Sequence, residues 1–439
     1  MQTSLKGINN RATLDASHRF GGLYRLLNTD NLRWAYKHLN KKASSGVDRV
    51  THSEYGQNLE ENLNDLVDRL KKKNYKAKLI RRVHIPKSAT KTRPLGIPTL
   101  EDKILQLACS RILEGIYEAD FIKHSYGYRR GQSAHDAVKT VAQRAQFDPY
   151  HYVVEADIKG FFDNIDHDWL LRMIELRVDD CAFVSLIKKW LKAGIMEKDK
   201  VTHPDTGTPQ GGVISPVLAN IYLHYALDIW FKKRVSKLCS GKCEIVRYAD
   251  DFVCLFQRKV DAEAFYQQLP ERLKKFNLEV APEKTNLLCF SRYATAERNE
   301  TFAFVGFEFR RETSRRGKPL VTTKTDPKKL QKKRAEFKEW IEKNRSLKLW
   351  KIMASVRRKL IGHYNYYGVI GNSKRMTKYY YWSQQNLFKW LNRRSQRKSF
   401  NWTEFNKMLK RYNIPTPKIT HGQKTEKRQG SRQELFSFM

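Results

Sequence analysis

The spacing of apolar residues along the 439-residue chain predicts helices at both ends and a mixed region between them. Near the N-terminus, apolar residues recur every three or four positions, which predicts helices over residues 31–43 and 58–72. The same period predicts further helices over residues 101–118, 134–145, 215–223 and 259–276. From residue 327 to about residue 411 the helical period takes over entirely.

Shorter runs between these helices have the patterns of strands. Residues 81–98 (RRVHIPKSATKTRPLGIP) alternate basic with apolar residues around Pro and Gly, which predicts a hairpin. Residues 153–156 form a short apolar run, and residues 244–256 (EIVRYADDFVCLF) place two β-rich runs around Ala-Asp-Asp. Residues 302–310 (FAFVGFEFR) alternate with period two, which predicts one strand.

This order of elements predicts an α+β chain with an all-α C-terminal module. We expect four segments: a helical N-terminal extension, a mixed central region, a helical module and a polar tail. Their predicted bounds are residues 1–72, 73–310, 311–415 and 416–439. The tail is polar and basic, so disorder is predicted there.

The net charge of the chain is far from balanced. Lys and Arg number 84 against 46 Asp and Glu, a formal charge of +38. Residues 310–439 alone hold 35 Lys and Arg and 8 Asp and Glu, or +27. A field of this strength favours a polyanionic partner, and its concentration in the last third predicts a separate nucleic-acid-binding element.

Membrane and disulfide chemistry are not expected. No apolar run approaches the roughly 18 residues of a membrane helix, and the first 20 residues lack the apolar segment of a secretory signal. The six cysteines form no disulfide framework. Cys239 and Cys243 form a lone C-x-x-x-C without a second pair of zinc ligands, so reduced thiols in a cytosol are predicted.

Three carboxylates follow strand-like runs and are candidates for catalysis. Asp250 and Asp251 lie at the tip of the hairpin predicted over residues 244–256, and Asp157 directly follows residues 153–156. Adjacent carboxylates repel each other unless a cation lies between them. Three of them on neighbouring strand ends can hold two Mg²⁺ ions about 3.5–4 Å apart, an arrangement suited to phosphoryl transfer. The alternative is a solvated Asp-Asp turn.

Five blocks of sequence, in order, are similar to those of a known family. They are RPLGIPTLEDKILQ (93–106), SYGYRRGQSAHDAV (125–138), EADIKGFFDNIDH (155–167), TGTPQGGVISPVLANIYL (206–223) and RYADD (247–251). Over roughly residues 20–415 the chain resembles the reverse transcriptases encoded by group II introns. The resemblance implies a right-hand polymerase fold with fingers, palm and thumb. It also implies that Asp157, Asp250 and Asp251 bind two Mg²⁺ ions, with the backbone carbonyl of Ile158 as a further ligand.

The resemblance also implies a nucleotide site. Lys87 and Arg93 are expected to contact the triphosphate, and Gln210 is expected to hydrogen-bond the incoming nucleotide. Phe162 is expected to exclude a 2′-hydroxyl and so to select deoxynucleotides, the alternative being an ordinary core residue. Lys284 is expected to protonate pyrophosphate, the alternative being a solvated lysine.

Two later segments resemble parts of the same family. Residues 304–307 resemble the primer-grip hairpin, and residues 361–369 (IGHYNYYGV) resemble the thumb and maturase motif LxGWxNYY, with His363 in place of Trp. Basic and aromatic residues are interleaved over residues 345–410, as in surfaces that bind RNA phosphates and stack on bases. The residues expected to contact RNA are Arg357, Arg358, Lys359, Tyr366 and Tyr367. The alternative is a helical core with solvated basic faces.

The expected function is RNA-directed DNA synthesis together with binding of the parent intron RNA in splicing and mobility. Expected partners are group II intron RNA, an RNA template with a DNA primer, target DNA and deoxynucleoside triphosphates. Only 24 residues, without Cys, follow Pro415, so the chain resembles the lineages without an endonuclease. A bacterial-type cytosol is expected, with nucleoid association during action on DNA. The alternatives are a domesticated reverse transcriptase in host defence or repair and a non-catalytic splicing cofactor.

Overall fold

The computed structural model describes residues 5–86, 92–197, 200–202, 206–208, 211–293, 300–314, 316–394 and 399–421. Within them helices and three sheets share the chain, so the predicted mixture of α and β structure is confirmed. In this part of the chain, no helix has both the length and the apolar character that crossing a membrane requires.

The helices and strands are numbered in chain order. The helices are α1 (Leu5–Leu14), α2 (Thr29–His38), α3 (His52–Tyr55), α4 (Leu59–Lys71), α5 (Leu100–Tyr117), α6 (Ala134–Phe147), α7 (His167–Glu175), α8 (Cys181–Leu191), α9 (Ser215–Leu223), α10 (Ser236–Leu238), α11 (Lys259–Lys274), α12 (Pro327–Asn344), α13 (Leu349–Tyr367), α14 (Ser373–Leu391) and α15 (Trp402–Arg411). The strands are β1 (Ile80–Pro86), β2 (Thr92–Ile97), β3 (Tyr152–Asp157), β4 (Ile195–Glu197), β5 (Lys200–Thr202), β6 (Cys243–Tyr248), β7 (Asp251–Phe256), β8 (Asn286–Cys289), β9 (Phe302–Phe304), β10 (Phe307–Thr313) and β11 (Pro319–Thr325).

The N-terminal helices cover one side of α5. The predicted helix over residues 31–43 is α2, which ends earlier because Leu39 adopts an extended conformation. The apolar stripe of α4 is buried at Leu63, Leu66 and Leu70, as the helical period predicts. α1 and α2 both pack on α5, whose buried residues extend along its whole length.

A small sheet with the order β2-β1-β4-β5 precedes the helices that surround the site. The hairpin predicted over residues 81–98 is confirmed as β1 and β2. Helices α7 and α8 lie between the central strand β3 and the short strands β4 and β5. These two short strands were not predicted, and β4 joins β1 in parallel through Ile80 and Ile195.

The central sheet is antiparallel, has the order β6-β7-β3-β8, and is buried on both faces. Phe252 and Phe256 face a core formed with α5, α7, α9 and α11. Val253 and Leu255 face a second core formed with α6 and β9–β10. Burial on both faces explains why these strands are continuous apolar runs in the sequence.

The third sheet has the order β11-β10-β9. The prediction of one strand over residues 302–310 is wrong, because the chain reverses at Val305 and Gly306. Both residues have positive φ, 50° and 76°, the conformation of a tight two-residue hairpin turn. The hairpin suggested by the resemblance of residues 304–307 is therefore present. A segment boundary at residue 310 would divide β10, whereas the sheet ends at Thr325.

The helices predicted after residue 327 are α12 to α15, and they share a separate core. The prediction of disorder from residue 416 is wrong for Thr420 and His421, whose N–H groups donate to the carbonyl of Gly368 at 2.8 and 2.9 Å. Residues 422–439 lie outside the described residues.

Candidate active site

The three predicted carboxylates meet at one end of the central sheet. Asp157 is the last residue of β3 and Asp251 is the first residue of β7. β3 and β7 are antiparallel, and their register pairs Asp157 directly with Asp251. Asp250 precedes Asp251 in the turn between β6 and β7. The sequence therefore places all three acids at the same edge through strand order and register alone.

The turn that presents Asp250 and Asp251 depends on close backbone packing. Ala249 has a φ of 57°, which is uncommon for a residue with a side chain. Gly127 packs against it, and a Cβ at position 127 would lie 2.2 Å from the Ala249 nitrogen. A glycine in the SYGYRRG block is thus required for the carboxylate turn to reach its position.

A buried arginine beneath this turn was missed from the sequence. Arg247 is fully buried and forms a two-pronged ion pair with Asp228, at 2.9 and 2.6 Å. Its remaining nitrogen Nη1 donates to Asn220 Oδ1 at 3.1 Å and to the carbonyl of Ala249 at 2.9 Å. Since every contact is buried, this arginine fixes the turn to the helix that follows residue 215.

Burial and mutual repulsion shape the charges of the acids. Burial raises the pKa of Asp251 to about 7, and the charges of Asp157 and Asp250 add to this rise. The Val305 N–H donates to Asp251 Oδ2 at 3.0 Å and opposes the rise. Burial also raises the pKa of Asp250. A site of this kind gains most from a bound cation, because a cation relieves both desolvation and repulsion.

Lys284 lies among the acids, as the resemblance implies. The N–H of Ala281 donates to the carbonyl of Asp157 at 2.8 Å, which brings the following turn, Pro282–Lys284, to the end of β3. The Lys284 ammonium forms an ion pair with the Asp157 carboxylate, and this hydrogen bond raises the pKa of Lys284. Lys284 is therefore not simply a solvated lysine.

The donor atoms at the carboxylate edge can be compared with those that a metal ion requires. Among them, no group of three or more His, Cys, Asp or Glu side chains converges closely enough to hold a metal ion as placed. The donor set itself fits Mg²⁺, since carboxylate oxygens are its preferred protein ligands. The ammonium of Lys284 on Asp157 shows that this edge of the sheet attracts a cation. Ile158, whose carbonyl is the further expected ligand, is buried beside Val280.

Two of the other predicted nucleotide contacts, Arg93 and Phe162, lie within the described residues. Arg93 is exposed on β2, and its charge opposes the upward shift of the Asp250 pKa that burial causes. Phe162 is half-buried, and its carbonyl accepts a hydrogen bond from the Thr208 N–H at 2.8 Å. Lys87 and Gln210 lie outside the described residues.

Tyr128 is a second residue that sequence reasoning missed. Its ring packs edge-to-face on Phe162 at 6.3 Å between centroids. Burial raises the pKa of Tyr128 to about 12, and the charge of Asp250 adds to the shift. Tyr128 belongs to the SYGYRRG block and has a φ of 58°. An uncommon backbone conformation is the signal of its special position, and a sequence does not display it.

The residues expected to contact RNA divide into two groups. Arg357, Arg358 and Lys359 are exposed on α13. Tyr366 and Tyr367 instead pack on Phe307, with centroids 5.5 and 5.3 Å apart, and Tyr367 is buried. The expectation that Tyr367 stacks on RNA is therefore corrected, because its ring is buried within the protein. Tyr366 is half-buried, and its expected contact with RNA stays a prediction.

Comparison with known proteins agrees with this geometry. A family model described as reverse transcriptase (RNA-dependent DNA polymerase) matches residues 85–309, just over half of the chain. The group II intron-encoded protein LtrA of Lactococcus lactis subsp. cremoris is 40% identical over 222 residues, which cover 50% of this chain and 37% of LtrA. Protein YkfC of Escherichia coli (strain K12) is 32% identical over 312 residues, covering 63% of this chain and 79% of YkfC.

Together the carboxylate edge and the family match define a nucleic acid polymerase domain. The chain belongs to the reverse transcriptase family. Its relatives include group II intron-encoded proteins and an intron maturase of Arabidopsis thaliana named 'Nuclear intron maturase 1, mitochondrial'. The resemblance seen in the sequence is therefore confirmed. The aligned region spans little more than a third of the length of LtrA.

Proposed function

We propose that the chain is an RNA-directed DNA polymerase of a group II intron. The observation that carries this proposal is the register of β3 and β7, which pairs Asp157 with Asp251 beside Asp250. In this proposal the sheet β2-β1-β4-β5 belongs to the fingers, the central sheet is the palm, and α12–α15 form the thumb and maturase region. The boundary of that region falls near Asp326, where the third sheet ends.

In this assignment, Asp157, Asp250 and Asp251 hold two Mg²⁺ ions, and the carbonyl of Ile158 is a further ligand. Ions held there would lower the pKa of the primer 3′-hydroxyl and stabilise the departing pyrophosphate. The three carboxylates would fix the positions of the ions relative to the 3′-hydroxyl and the α-phosphate. To act as a ligand, Asp157 would first have to release the Lys284 ammonium.

The basic side chains then act on the nucleotide. Arg93, which faces Asp250, neutralises the triphosphate together with Lys87, and Gln210 hydrogen-bonds the nucleotide. Once freed from Asp157, Lys284 is placed to give a proton to pyrophosphate. Phe162 lies beside the deoxyribose and leaves no room for a 2′-hydroxyl.

We propose further that α13 binds intron RNA through Arg357, Arg358 and Lys359 and thereby assists splicing and mobility. Three exposed cations in succession and the net charge of +27 over residues 310–439 support this proposal. The relatives that are a group II intron-encoded protein and an intron maturase support it also. Template RNA, DNA primer, target DNA and deoxynucleoside triphosphates complete the proposed partners.

The deciding test is primer extension on an RNA template by Asp250→Asn. This change removes a charge from the metal site and keeps its shape, so synthesis should fall by orders of magnitude while RNA affinity stays near wild type. Asp168→Asn is the matched control, because it removes the same charge from an exposed residue of α7. Normal extension by Asp250→Asn would show that the acids are not the metal ligands.

A splicing assay of the flanking RNA, run in parallel, separates the enzyme from a non-catalytic splicing cofactor. An enzyme with maturase function loses extension in Asp250→Asn and keeps splicing. A splicing cofactor shows no extension in the wild-type protein. A domesticated polymerase extends primers and does not stimulate splicing.

A further inference from the structure

One residue of the β9–β10 turn, Val305, connects the C-terminal helices to the carboxylate edge. The N–H of Val305 donates to Asp251 Oδ2 at 3.0 Å, and the carbonyl of Val305 accepts from the Tyr366 hydroxyl at 2.9 Å. Val305 lies in the turn between β9 and β10, and Tyr366 lies near the end of α13. Two successive hydrogen bonds therefore join a proposed metal ligand to a helix residue that lies 61 positions beyond Val305 along the chain.

The conformation of Val305 shows that its position is held by its surroundings. Val305 is β-branched and has a φ of 50°, a region that such residues rarely occupy. Backbone conformations of this kind persist only where neighbouring contacts fix them. The bonds to Asp251 and Tyr366 hold the two successive peptide groups that meet at the Cα of Val305, and so fix its backbone angles.

Tyr366 is itself firmly placed. Its ring stacks on Phe307 with 5.5 Å between centroids and an angle of 21° between the planes. Its carbonyl accepts a hydrogen bond from His135 Nε2 on α6 at 2.7 Å. The stacking of the ring and the hydrogen bond to the Tyr366 carbonyl together fix the hydroxyl that donates to Val305.

The same residues border open space that reaches the active site. A cavity of about 640 Å³ lies between the β9–β10 turn and helices α12 and α13. Its lining includes Asp251, Val305 and Tyr366, together with the basic residues Arg358 and Lys359. A displacement of α13 along this cavity would therefore move the donor that holds Val305.

We propose that Tyr366 is a positioning residue of the metal site, which fixes the Val305 backbone through its carbonyl and thereby aims the Val305 N–H at the Asp251 carboxylate. This inference rests on the proposed role of Asp251 as a metal ligand. It adds that the helix carrying the RNA-binding cations also sets the orientation of a metal ligand. Groups that orient metal ligands in this way affect metal affinity without touching the metal.

The test compares Tyr366→Phe with Tyr364→Phe in the full chain. The first change removes only the hydroxyl that donates to the Val305 carbonyl. The second removes a buried hydroxyl from the same helix that has no hydrogen-bond partner within the described residues. Two measurements are made on each: hydrogen exchange at the Val305 amide in the free protein, and Mn²⁺ binding by electron paramagnetic resonance. The Mn²⁺ titration uses an RNA template with a dideoxy-terminated primer and the matching nucleotide, so no bond forms.

We expect Tyr366→Phe to speed exchange at Val305 and to weaken Mn²⁺ binding roughly three- to tenfold, whereas Tyr364→Phe changes neither. Equal behaviour of the two variants would overturn the proposal, and so would weaker Mn²⁺ binding without faster exchange at Val305. If Tyr366→Phe failed to fold where Tyr364→Phe folds, the hydroxyl would be a determinant of folding, and the positioning role would be wrong. Unchanged Mn²⁺ binding by Asp251→Asn would instead refute the metal assignment itself.

Discussion

Phe162 offers the sharpest test of a single side chain. It contacts Tyr128, whose pKa is raised in part by the charge of Asp250, a proposed metal ligand. Phe162→Ala opens space, and ribonucleotide incorporation relative to deoxynucleotide incorporation should rise by at least roughly tenfold. Single-nucleotide extension on an RNA template measures the ratio, with Phe162→Tyr, which keeps the ring, as the control. An unchanged ratio in the alanine variant would make Phe162 an ordinary core residue.

His363 predicts a pH dependence of stability. Burial lowers the pKa of His363 to about 4, and Lys333 contributes in the same direction. The unfolded chain therefore takes up a proton near pH 6.5, before the folded protein does, so stability is present above this pH and is lost as the pH falls toward 4. The loss amounts to up to about 3 kcal/mol for this group.

His363→Phe should remove this part of the acid sensitivity. The measurement is the free energy of unfolding in urea at pH 7 and pH 4.5, for the variant and the wild type. His224, whose pKa burial also lowers to about 4, remains in both proteins and causes a residual acid sensitivity. An identical pH dependence in the two proteins would show that His363 does not titrate in this window.

Residues differ in how well the sequence predicts them, for a physical reason. Asp157 and Asp251 are predictable because each adjoins an apolar strand, and antiparallel pairing brings strand ends together. Arg247 is not predictable, since its partners Asp228 and Asn220 lie 19 and 27 residues away on a helix. Only three-dimensional packing shows that this arginine is buried and paired.

At the scale of elements, β7 is predictable as a strand of its own, whereas β9 is not. A period of two predicts strands well, but it does not reveal a hairpin turn when apolar residues alternate on both sides of that turn. Phe302, Phe304, Phe307 and Phe309 are all buried, although the chain turns back at Val305 and Gly306. The short strands β4 and β5 escape prediction because three residues are too few to establish a period.

Arg247 connects α9 to the β6–β7 turn, and this connection leads to a prediction about folding and catalysis. Arg247→Met leaves Asp228 buried without its partner, which should lower the free energy of unfolding by about 3–5 kcal/mol. The double variant Arg247→Met, Asp228→Leu removes both charges and should recover much of that loss. Primer extension should stay low in the double variant, because the hydrogen bond to the Ala249 carbonyl is still missing.

Urea unfolding and extension assays on the single and double variants separate the two roles of Arg247. Recovery of stability without recovery of extension is the expected result. Recovery of both would mean that Arg247 contributes only to folding and that the carboxylate turn holds its shape without it.

At the scale of the whole molecule, charge and chemistry occupy different parts of the chain but meet in space. The sequence separates the acids from the C-terminal cations by about a hundred residues, which suggests two independent surfaces. The fold instead places Arg358 and Lys359 on the cavity that Asp251 also lines, whereas Arg357 does not line it. Neighbouring residues of α13 thus face different surroundings.

This division predicts two separable effects. Replacing Arg357, Arg358 and Lys359 together by Gln should weaken RNA binding, and each lost phosphate contact should reduce the log–log salt slope by roughly 0.7–0.9. Arg357→Gln alone should weaken RNA binding and splicing while it leaves extension of a short primed template nearly unchanged. Arg358→Gln with Lys359→Gln should impair extension as well, because both residues border the space beside Asp251.

The matched control replaces Lys71, Lys72 and Lys73 by Gln, since these exposed lysines at the end of α4 give the same change in charge far along the chain from α13. RNA affinity is measured at several salt concentrations for all variants, and extension is measured at one. If the α13 variants and the control show the same affinity and parallel salt slopes, the three cations of α13 are a solvated helix face. If Arg357→Gln impairs extension as strongly as Arg358→Gln with Lys359→Gln, the cavity does not separate RNA binding from primer extension. The phosphates of the bound nucleic acid would then contact the whole basic face of α13.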